Sequence, residues 1–318
     1  MKYHRYKVVD VFTTEALEGN ALAVFPDASD LDPTTMQKIA REFNLAETAF
    51  VLPATHKDCA ATLRIFTPAK EMVFAGHPTV GSAFVLLEEG IVPKNSRAFV
   101  VEEKIGPIPI RIDSGARPMI WLRTPPIREG RCYDSALCAA SLGLEPQDLL
   151  PIETQLLNAA NPTVIVAAQD KAAVDRASLD LAGLKALKGR ETEPFCVFLF
   201  TQTPEGAYSR MFAPEYGVVE DPATGSSTGP LAAYMIRHKL VSGKAGTRFV
   251  SEQGTKMGRR SFLHVEIQGE QGADGILVGG HVTPIAEGVM KLGLHANAKK
   301  KRNARAASAA AKPAVSAV

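Results

Sequence analysis

Short apolar segments recur along the whole chain, and in several of them apolar and polar residues alternate, as is typical of half-buried β-strands. Turn-forming Gly, Pro, Asn and Asp residues separate these segments. Strands are therefore predicted over residues 8–12, 19–25, 45–52, 60–66, 98–103, 108–112, 119–122, 161–166, 195–200, 209–212, 248–250, 263–268, 276–278 and 281–289.

Apolar residues spaced three and four apart predict a smaller number of helices. Asp32 is a good N-cap, Pro33 a good first helical residue, and Asn44 suits the end of the same helix. Further helices are predicted over residues 78–89, 134–142 and 180–187, and after residue 227. The second half repeats the element order of the first, which predicts an α/β (α+β) fold built from two similar parts.

One motif occurs twice in the chain. Residues 77–83 read His-Pro-Thr-Val-Gly-Ser-Ala, and residues 221–227 read Asp-Pro-Ala-Thr-Gly-Ser-Ser. A Phe-x-Pro precedes each copy, at residues 66–68 and 212–214, and each copy opens an apolar, helix-like run. This overlay places His77 and Asp221 at the same point of the two halves. We interpret it as a duplicated fold that aims two halves of one site at each other.

The break at residues 113–118 is rich in turn-forming residues and is the predicted domain boundary. It gives an N-terminal domain over residues 1–115, which the last strand, near residues 281–292, is a candidate to join. The C-terminal domain covers residues 116–294. Residues 295–318 form a low-complexity basic tail of Ala, Lys and Arg, predicted to be disordered, with a nucleic-acid or partner arm as the alternative.

Composition narrows the class of protein. The 318 residues are 46% hydrophobic and 22% charged, as in an ordinary soluble globular protein. The tail carries six of the 36 basic residues and no acid, so the body has 30 basic against 34 acidic residues, a net charge of about −4. The folded body therefore offers no electrostatic case for nucleic-acid binding.

Several function classes are disfavoured by what the sequence lacks. No apolar run approaches the ~20 residues of a membrane span, and no secretory h-region follows the first residues, so a cytoplasmic location without membrane contact is expected. The sequence has no Walker A, dinucleotide-type, HExxH or Gly-x-Ser-x-Gly motif. His residues are sparse, which disfavours a metal site, and the four Cys residues form no CxxC pair and are predicted to be buried or inert.

The two repeated segments can bind an anion. Each places backbone N–H groups at a helix N-terminus, where the helix dipole favours negative charge, and Gly76, Gly81 and Gly225 allow the backbone to approach a ligand closely. Taken alone, each is an ordinary helix start, but the duplication favours a shared cleft. His77 and Asp221, both before Pro, would form a proton-shuttling pair within it.

Glu47 is a third candidate for proton chemistry. It lies inside the otherwise apolar run of residues 45–52. The ordinary interpretation is an edge-strand Glu that faces solvent. The functional interpretation is a partly desolvated carboxylate with a raised pKa, suited to taking and returning a proton. Spacing alone leaves both interpretations open.

These motifs together resemble the PhzF-like phenazine-biosynthesis family, within the diaminopimelate-epimerase fold. The resemblance covers about residues 6–290 and implies two pseudo-symmetric α/β domains, each a curved sheet or barrel around a central helix, with the active site between them. It also implies a homodimer without a cofactor. The matching segments are Val-Asp-Val-Phe-Thr (9–13), Gly-Asn-Ala-Leu-Ala-Val (19–24), Asn-Leu-Ala-Glu-Thr-Ala-Phe-Val (44–51), Phe-Thr-Pro (66–68), Gly-His-Pro-Thr-Val-Gly (76–81) and Asp-Pro-Ala-Thr-Gly-Ser (221–226).

The resemblance also implies an isomerase that acts on a small carboxylate-bearing substrate, and it implies roles for individual residues in that reaction. Glu47 would be the general acid/base, and His77, Asp221 and Ser226 would complete the catalytic site. The substrate-binding residues would be Asn20, Gly76, Gly225 and Ser227. In the family's best-known activity, trans-2,3-dihydro-3-hydroxyanthranilate loses a proton from C3 and gains one at C1, and the resulting enol becomes a ketone.

Two other functions stay open at this point. The epimerases and proline racemases of this fold use two facing thiols, but none of Cys59, Cys132, Cys138 and Cys196 lies in either repeated segment. An epimerase or racemase would therefore have to work without thiols, through Glu47 and His77. The other alternative is a non-catalytic homologue that binds a small molecule. The sequence does not name the substrate or place the chain in a phenazine pathway.

Overall fold

The computed structural model describes residues 1–269 and 275–293, and the predicted tail lies outside them. Within this part of the chain, strands outnumber helices, and all but the shortest strands have apolar residues that face a core. The strands are β1 (Lys2–Val11), β2 (Asn20–Phe25), β3 (Glu47–Leu52), β4 (Ala61–Phe66), β5 (Glu71–Met72), β6 (Ala98–Glu103), β7 (Gly106–Asp113), β8 (Met119–Arg123), β9 (Arg128–Tyr133), β10 (Thr154–Asn158), β11 (Pro162–Ala167), β12 (Cys196–Thr203), β13 (Gly206–Ala213), β14 (Val218–Asp221), β15 (Arg248–Gln253), β16 (Ser261–Ile267), β17 (Ile276–Gly280) and β18 (Val282–Leu292).

Six helices interrupt the strands within the described residues. The ends of α1 follow the predicted cap chemistry, because the Asp32 side chain accepts from the Thr35 N–H at 3.0 Å and Asn44 takes a left-handed conformation at φ 51°. The helices are α1 (Pro33–Phe43), α2 (Gly76–Glu88), α3 (Ser135–Ser141), α4 (Lys171–Arg176), α5 (Leu181–Lys188) and α6 (Gly225–Arg237).

The strands pair in the same way in two halves of the molecule. In the first half the order is β18-β1-β2-β3-β4-β6-β7-β8, and in the second it is β9-β10-β11-β12-β13-β15-β16-β17. The pairs β2/β3 and β4/β6 are parallel, and so are their counterparts β11/β12 and β13/β15, while the neighbouring pairs are antiparallel. The predicted duplicated α/β fold is confirmed.

Antiparallel pairing of β8 with β17 joins the two halves into one continuous ladder. The last strand, β18, pairs along β1 and so belongs by hydrogen bonding to the first half. The boundary placed between residues 115 and 116 stays a prediction, because β8 pairs with β7 on one side and with β17 on the other.

Helices α2 and α6 run through the centres of the two halves. Each has 13 residues, most of them buried, and packs against several strands of its own half. A helix that is enclosed on most sides has no wide polar face, so its apolar residues do not form a single stripe. In the described part of the chain, these are the longest helices, and none is both long and apolar enough to cross a bilayer.

Five elements were not predicted from the sequence: β5, β9, β10, β14 and α4. Strand β9 is exposed at every position except the last, so its sequence Arg-Glu-Gly-Arg-Cys-Tyr carries no alternation. Strand β5 has only two residues. Helix α2 begins at Gly76 rather than at residue 78, which brings both Gly76 and His77 into its first turn. That shift determines the geometry of the site.

Candidate active site

The N-termini of α2 and α6 meet at the centre of the molecule. A Cβ added to Gly76 would lie 2.5 Å from the Gly225 carbonyl carbon and 2.5 Å from the Ser226 nitrogen. A Cβ on Gly225 would lie 3.1 Å from the Gly76 Cα. Real Cβ atoms do not approach backbone so closely, so the absence of a side chain at residue 76 lets the two helix ends touch.

This contact corrects the register of the sequence repeat. Thr79 donates to the Ala75 carbonyl at 2.6 Å, and Thr228 donates to the Thr224 carbonyl at 2.9 Å, at the same point of each helix. The helices therefore match Gly76 with Gly225 and His77 with Ser226. The predicted equivalence of His77 with Asp221 was wrong by five residues.

The strands before the helices show the same register. Asp221 at the end of β14 pairs with Met211, and Met72 at the end of β5 pairs with Ile65. The counterpart of Asp221 in the first half is thus Met72. His77 and Asp221 still belong to one site, but they reach it from different structural positions.

Asn20, the first residue of β2, connects the two halves behind the site. Its Nδ2 atom donates to Asp221 Oδ1 at 2.7 Å and to the Ala223 carbonyl at 3.0 Å, and it lies 3.1 Å from His77 Nδ1. Its counterpart Asn161 donates to the Phe74 carbonyl at 3.0 Å, so each Asn holds the helix start of the opposite half.

The contacts of Asn20 also determine the tautomer of His77. Two of the three contacts are to oxygen acceptors, which assigns this end of the amide as the nitrogen. An amide nitrogen only donates, so His77 Nδ1 accepts and Nε2 carries the ring hydrogen. Nε2 lies 3.4 Å from Glu47 Oε2, and neither atom has another hydrogen-bond partner among the described residues. The imidazole N–H therefore faces the Glu47 carboxyl.

Burial shifts the pKa values of Glu47, Asp221 and His77. Burial, and then the charge of Asp221, raises the pKa of Glu47 well above 4.5. Burial raises the pKa of Asp221 to about 6, against the hydrogen bonds from Thr224 and Asn20. Burial lowers the pKa of His77 to about 3, so the imidazole is neutral at physiological pH and its contact with Glu47 is not an ion pair.

A cavity lies in front of these groups and takes its wall from both halves. It encloses about 480 Å³ of space, part of it open to solvent. Neither α2 nor α6 has a side-chain cap, so their first N–H groups are available at the cavity floor. The wall residues are Glu47, Thr67, Met72, Ala75, Gly76, His77, Asn161, Cys196, Met211, Ala213, Tyr216, Val218, Asp221, Thr224, Gly225 and Ser226.

Most predicted site residues line this cavity, and two do not. Glu47, His77, Asp221, Ser226, Gly76 and Gly225 face it. Asn20 lies behind it and holds other site residues. Ser227 is fully buried, with its hydroxyl 2.9 Å from Thr163 Oγ1, so the structure gives it an internal partner instead of a substrate-facing position.

Gly81 also differs from expectation. A Cβ at this position would lie 2.7 Å from Leu22 Cδ2 and 2.8 Å from Val11 Cγ2. Its lack of a side chain therefore allows α2 to pack against the sheet, and a ligand is not involved. The second glycine of the motif serves the fold, whereas Gly76 serves the site.

Three contributors to the site were not predicted. Thr224 donates to Asp221 Oδ2, and Gln253 Nε2 donates to the Asp221 carbonyl at 2.7 Å. Asn161 lines the cavity; the likeness of its strand to that of Asn20 was the available signal. Gln253 is the last residue of β15 and belongs to no recognisable motif. It lies 32 residues from Asp221 in the sequence, so no local pattern predicts their contact.

The first residues of β3 and β12 are Glu47 and Cys196, and the parallel pairings make them counterparts. Glu47 pairs with Leu22 of β2, and Cys196 pairs with Thr163 of β11. Burial raises the pKa of the Cys196 thiol, so this wall residue is a neutral thiol. The cavity therefore has a carboxyl at one of two equivalent positions and an unionised thiol at the other.

Comparison with known proteins finds one family that matches most of the chain. The model of the phenazine biosynthesis-like protein family, PhzC-PhzF, matches residues 9–288. The trans-2,3-dihydro-3-hydroxyanthranilate isomerase of Pseudomonas aeruginosa is 36% identical over 289 residues, which cover 90% of this chain and 98% of that protein.

Solved structures agree with the fold. The phenazine biosynthesis protein of the PhzF family from Bacillus anthracis superposes with a TM-score of 0.80 at 25% identity, over 92% of this chain and 100% of that one. A probable proline racemase from Agrobacterium radiobacter superposes with a TM-score of 0.63 at 15% identity, over 92% of this chain and 93% of that one. The second likeness concerns the fold alone.

Proposed function

This chain belongs to the phenazine biosynthesis-like protein family, a family with isomerase members, and we propose that it is a cofactor-independent isomerase that moves a proton within a small carboxylate-bearing ring. One observation carries the proposal. A buried carboxyl of raised pKa, Glu47, faces a cavity whose floor is made of two converging helix N-termini. Such a site can bind an anion and exchange a proton with it.

The substrate we propose is trans-2,3-dihydro-3-hydroxyanthranilate or a close relative, as for the Pseudomonas aeruginosa protein. Its carboxylate binds Ser226 and the N–H groups that begin α6. The Glu47 carboxylate removes the proton from C3, and the electrons of that bond shift the two ring double bonds by one position. Glu47 then delivers a proton to C1, and the enol at C3 becomes a ketone.

His77 and Asp221 support this transfer without changing the proton count. The Nε2–H of neutral His77 faces Glu47 Oε2 and stabilises the carboxylate that must act as the base. Asn20 fixes His77 through Nδ1 and Asp221 through Oδ1, so one amide keeps the two groups in register. A pKa of Glu47 raised toward the working pH suits a group that both takes and returns a proton.

Assay of the purified protein with this substrate tests the proposal. We expect conversion to the ketone with a shifted double bond and without any added cofactor. Inversion at a substrate stereocentre would instead support a thiol-independent epimerase or racemase. Binding, detected by thermal shift with cyclic carboxylates, without solvent-deuterium exchange would support a non-catalytic homologue. The homodimer and the cytoplasmic location both stay predictions. Sedimentation analysis measures the oligomeric state.

The Asp221→Asn variant should move the pH profile in a defined direction. The Asp221 charge raises the pKa of Glu47, so its removal lowers that pKa. Because Glu47 must be ionised to start the reaction, kcat/KM falls as pH drops through its pKa. We expect the acidic limb of the wild type to lie above pH 4.5, the ordinary value for Glu, and that of Asp221→Asn to lie at lower pH. If the acidic limb of Asp221→Asn lies at the same pH as that of the wild type, Asp221 does not raise the pKa of Glu47.

The Ser226→Ala variant should weaken substrate binding. A hydrogen bond to a charged group contributes about 1.5–3 kcal/mol, so we expect KM to rise about 10- to 100-fold with a smaller change in kcat. Ser227→Ala is the matched control, because its hydroxyl contacts Thr163 inside the protein. It should lower the melting temperature and leave KM near the wild-type value. Equal KM values for the two variants would contradict the placement of the carboxylate.

A further inference from the structure

Glu103, the last residue of β6, is buried beneath the site without lining its cavity. Its side chain is 4% exposed and reaches the start of α2, where its Oε1 atom contacts Thr79 Oγ1 in the first turn. Its Oε2 atom has no hydrogen-bond partner among the described residues. A buried carboxylate with only this contact would be costly, so its protonation state matters.

Gln253 holds the same place in the second half. It ends β15, the counterpart of β6, and its Oε1 accepts from the Thr224 N–H at 3.1 Å. Its Nε2 donates to the Asp221 carbonyl and, at 3.0 Å, to Thr224 Oγ1. Thr224 and Ala75 are the N-cap residues of α6 and α2, and neither helix has a side-chain cap of its own. A neutral amide therefore holds one helix start, and a carboxyl holds the other.

Hydrogen counting indicates that the carboxyl is neutral as well. The Thr79 hydroxyl has one hydrogen and lies 2.6 Å from the Ala75 carbonyl, with Glu103 Oε1 as its other close neighbour. Thr228, its counterpart, gives its hydrogen to the Thr224 carbonyl. If Thr79 does the same, the hydrogen between Thr79 and Glu103 has to come from Glu103.

We propose that Glu103 is a positioning residue that, as a neutral carboxylic acid, fixes the start of α2 and thereby Gly76 and His77, as Gln253 fixes the start of α6. The kinetic consequence rests on the proposed function, but the structural consequence does not. Glu103 touches neither the cavity nor a reacting atom, so it acts through the helix that it holds.

The surroundings of Glu103 agree with a neutral acid. Burial is the largest effect on its pKa and raises it to about 8, and no charged neighbour contributes. Charged groups on the elements packed around it are engaged elsewhere, and His77 on α2 is neutral. The engaged groups are Arg64 and Lys104 with Glu71, Lys7 with Glu88, Arg111 with Asp113 and Glu266, and Glu102 with Thr55 and Thr62.

The sign of the pH effect follows from this raised pKa. A group whose pKa rises on folding stabilises the protein fully below its unfolded-state pKa, here 4.5. That stabilisation is lost as pH rises from there through the folded value of about 8. Glu103→Gln can donate an amide N–H to Thr79 Oγ1 in place of the acid O–H, and it cannot lose a proton. The folding equilibrium of the wild type should therefore weaken relative to Glu103→Gln by up to about tenfold for each pH unit in this window.

Denaturant unfolding between pH 5 and 9 tests this expectation without a substrate. The control is Glu102→Gln, at the neighbouring position on the opposite face of β6, where hydrogen bonds from Thr55 and Thr62 hold the pKa at about 2. Its difference from the wild type should not change over this pH range. If Glu103→Gln also keeps a constant difference from the wild type, Glu103 is not a neutral acid in the folded protein and the proposal is overturned.

A second pair of measurements separates positioning from bulk stability. Glu103→Leu removes the polar contact with Thr79 in the first turn of α2, so the ring ¹⁵N signals of His77 should move in Glu103→Leu and stay in place in Glu103→Gln. On the proposed substrate, kcat should fall at least tenfold in Glu103→Leu and stay within about twofold in Glu103→Gln. Unchanged His77 signals in a folded Glu103→Leu would overturn the positioning role. Absence of turnover by the wild type would count against the proposed function alone, because the unfolding data would still decide on Glu103.

Discussion

Glu47→Gln should lose turnover by roughly 10³-fold while keeping the native fold, since removal of a general acid/base typically costs 10²–10⁴-fold. Gln has the shape of Glu and can accept the Nε2–H of His77, but it cannot take a proton from C3. The other ionisable groups that line the cavity are poor replacements for this carboxylate: the Asp221 side chain already accepts hydrogen bonds from Asn20 and Thr224. His77 is neutral with its free hydrogen on Nε2, and Cys196 is an unionised thiol.

The fold of this variant should be at least as stable as that of the wild type. The folded-state pKa of Glu47 lies above its ordinary 4.5, so the wild type loses stability as pH rises from 4.5 through the folded value. Gln has no proton to lose. We therefore expect the melting temperature of Glu47→Gln to equal or exceed the wild-type value at neutral pH, which calorimetry measures. Glu42→Gln, at an exposed position of α1, is the control and should match the wild type in both rate and stability.

Gly76→Ala should damage both the site and the fold. The new Cβ would lie 2.5 Å from backbone atoms of Gly225 and Ser226, which cannot rotate away as a side chain could. The two helix ends have to separate, and misplacement by about 1 Å costs about 10²-fold in rate. Overpacking of this kind destabilises by about 1–3 kcal/mol. We expect a loss of at least 10²-fold in kcat/KM together with a lower free energy of unfolding.

Two other glycines give a graded control for this effect. A Cβ at Gly225 would lie 3.1 Å from the nearest atom, and one at Gly115 would lie 3.6 Å from the Arg117 carbonyl, which is an ordinary contact. Activity should therefore fall in the order Gly115→Ala, Gly225→Ala, Gly76→Ala, with the first close to wild type. If Gly76→Ala retains activity like Gly115→Ala, the helix ends do not need to touch for catalysis.

Local patterns predicted much of the fold. The cap residues of α1 are visible as Asp32, Pro33 and Asn44, and most longer strands carry an apolar run that marks them. Strand β9 was not predicted because an exposed strand has no apolar face that would mark it in the sequence. The duplicated architecture was visible because both halves place a Phe-x-Pro, a Pro-x-x-Gly-Ser segment and an apolar helical run in the same order.

The sequence did not predict which residues of the two halves correspond, nor which residues hold the site residues in place. The overlay matched Pro and Gly-Ser letters, whereas the fold matches the first residues of two helices, so His77 was paired with Asp221 instead of with Ser226. The Asn20–Asp221 hydrogen bond spans 201 residues and has no local signal. Glu103 and Gln253 look like ordinary strand-end residues until the structure shows which helix start each one holds.

Counterpart positions with different residues explain how a symmetric fold carries an asymmetric site. Between the two halves, Glu47 corresponds to Cys196, His77 to Ser226, Met72 to Asp221, and Glu103 to Gln253. In the proposed mechanism, the first half provides the base and its imidazole partner. The second half then provides the hydroxyl and the carboxylate that complete the site. One proton-transferring group in one half suits transfer within a substrate better than exchange between two opposed groups.

The fate of a deuterium label at C3 of trans-2,3-dihydro-3-hydroxyanthranilate tests the central claim, that Glu47 moves a proton within the substrate, most directly. With the wild type in ordinary water, we expect the deuterium to leave C3 as the double bonds shift and the ketone forms, and Glu47→Gln should leave the label in place. Recovery of substrate with inverted configuration and no shifted double bond, or loss of the label at the wild-type rate in Glu47→Gln, would contradict the account.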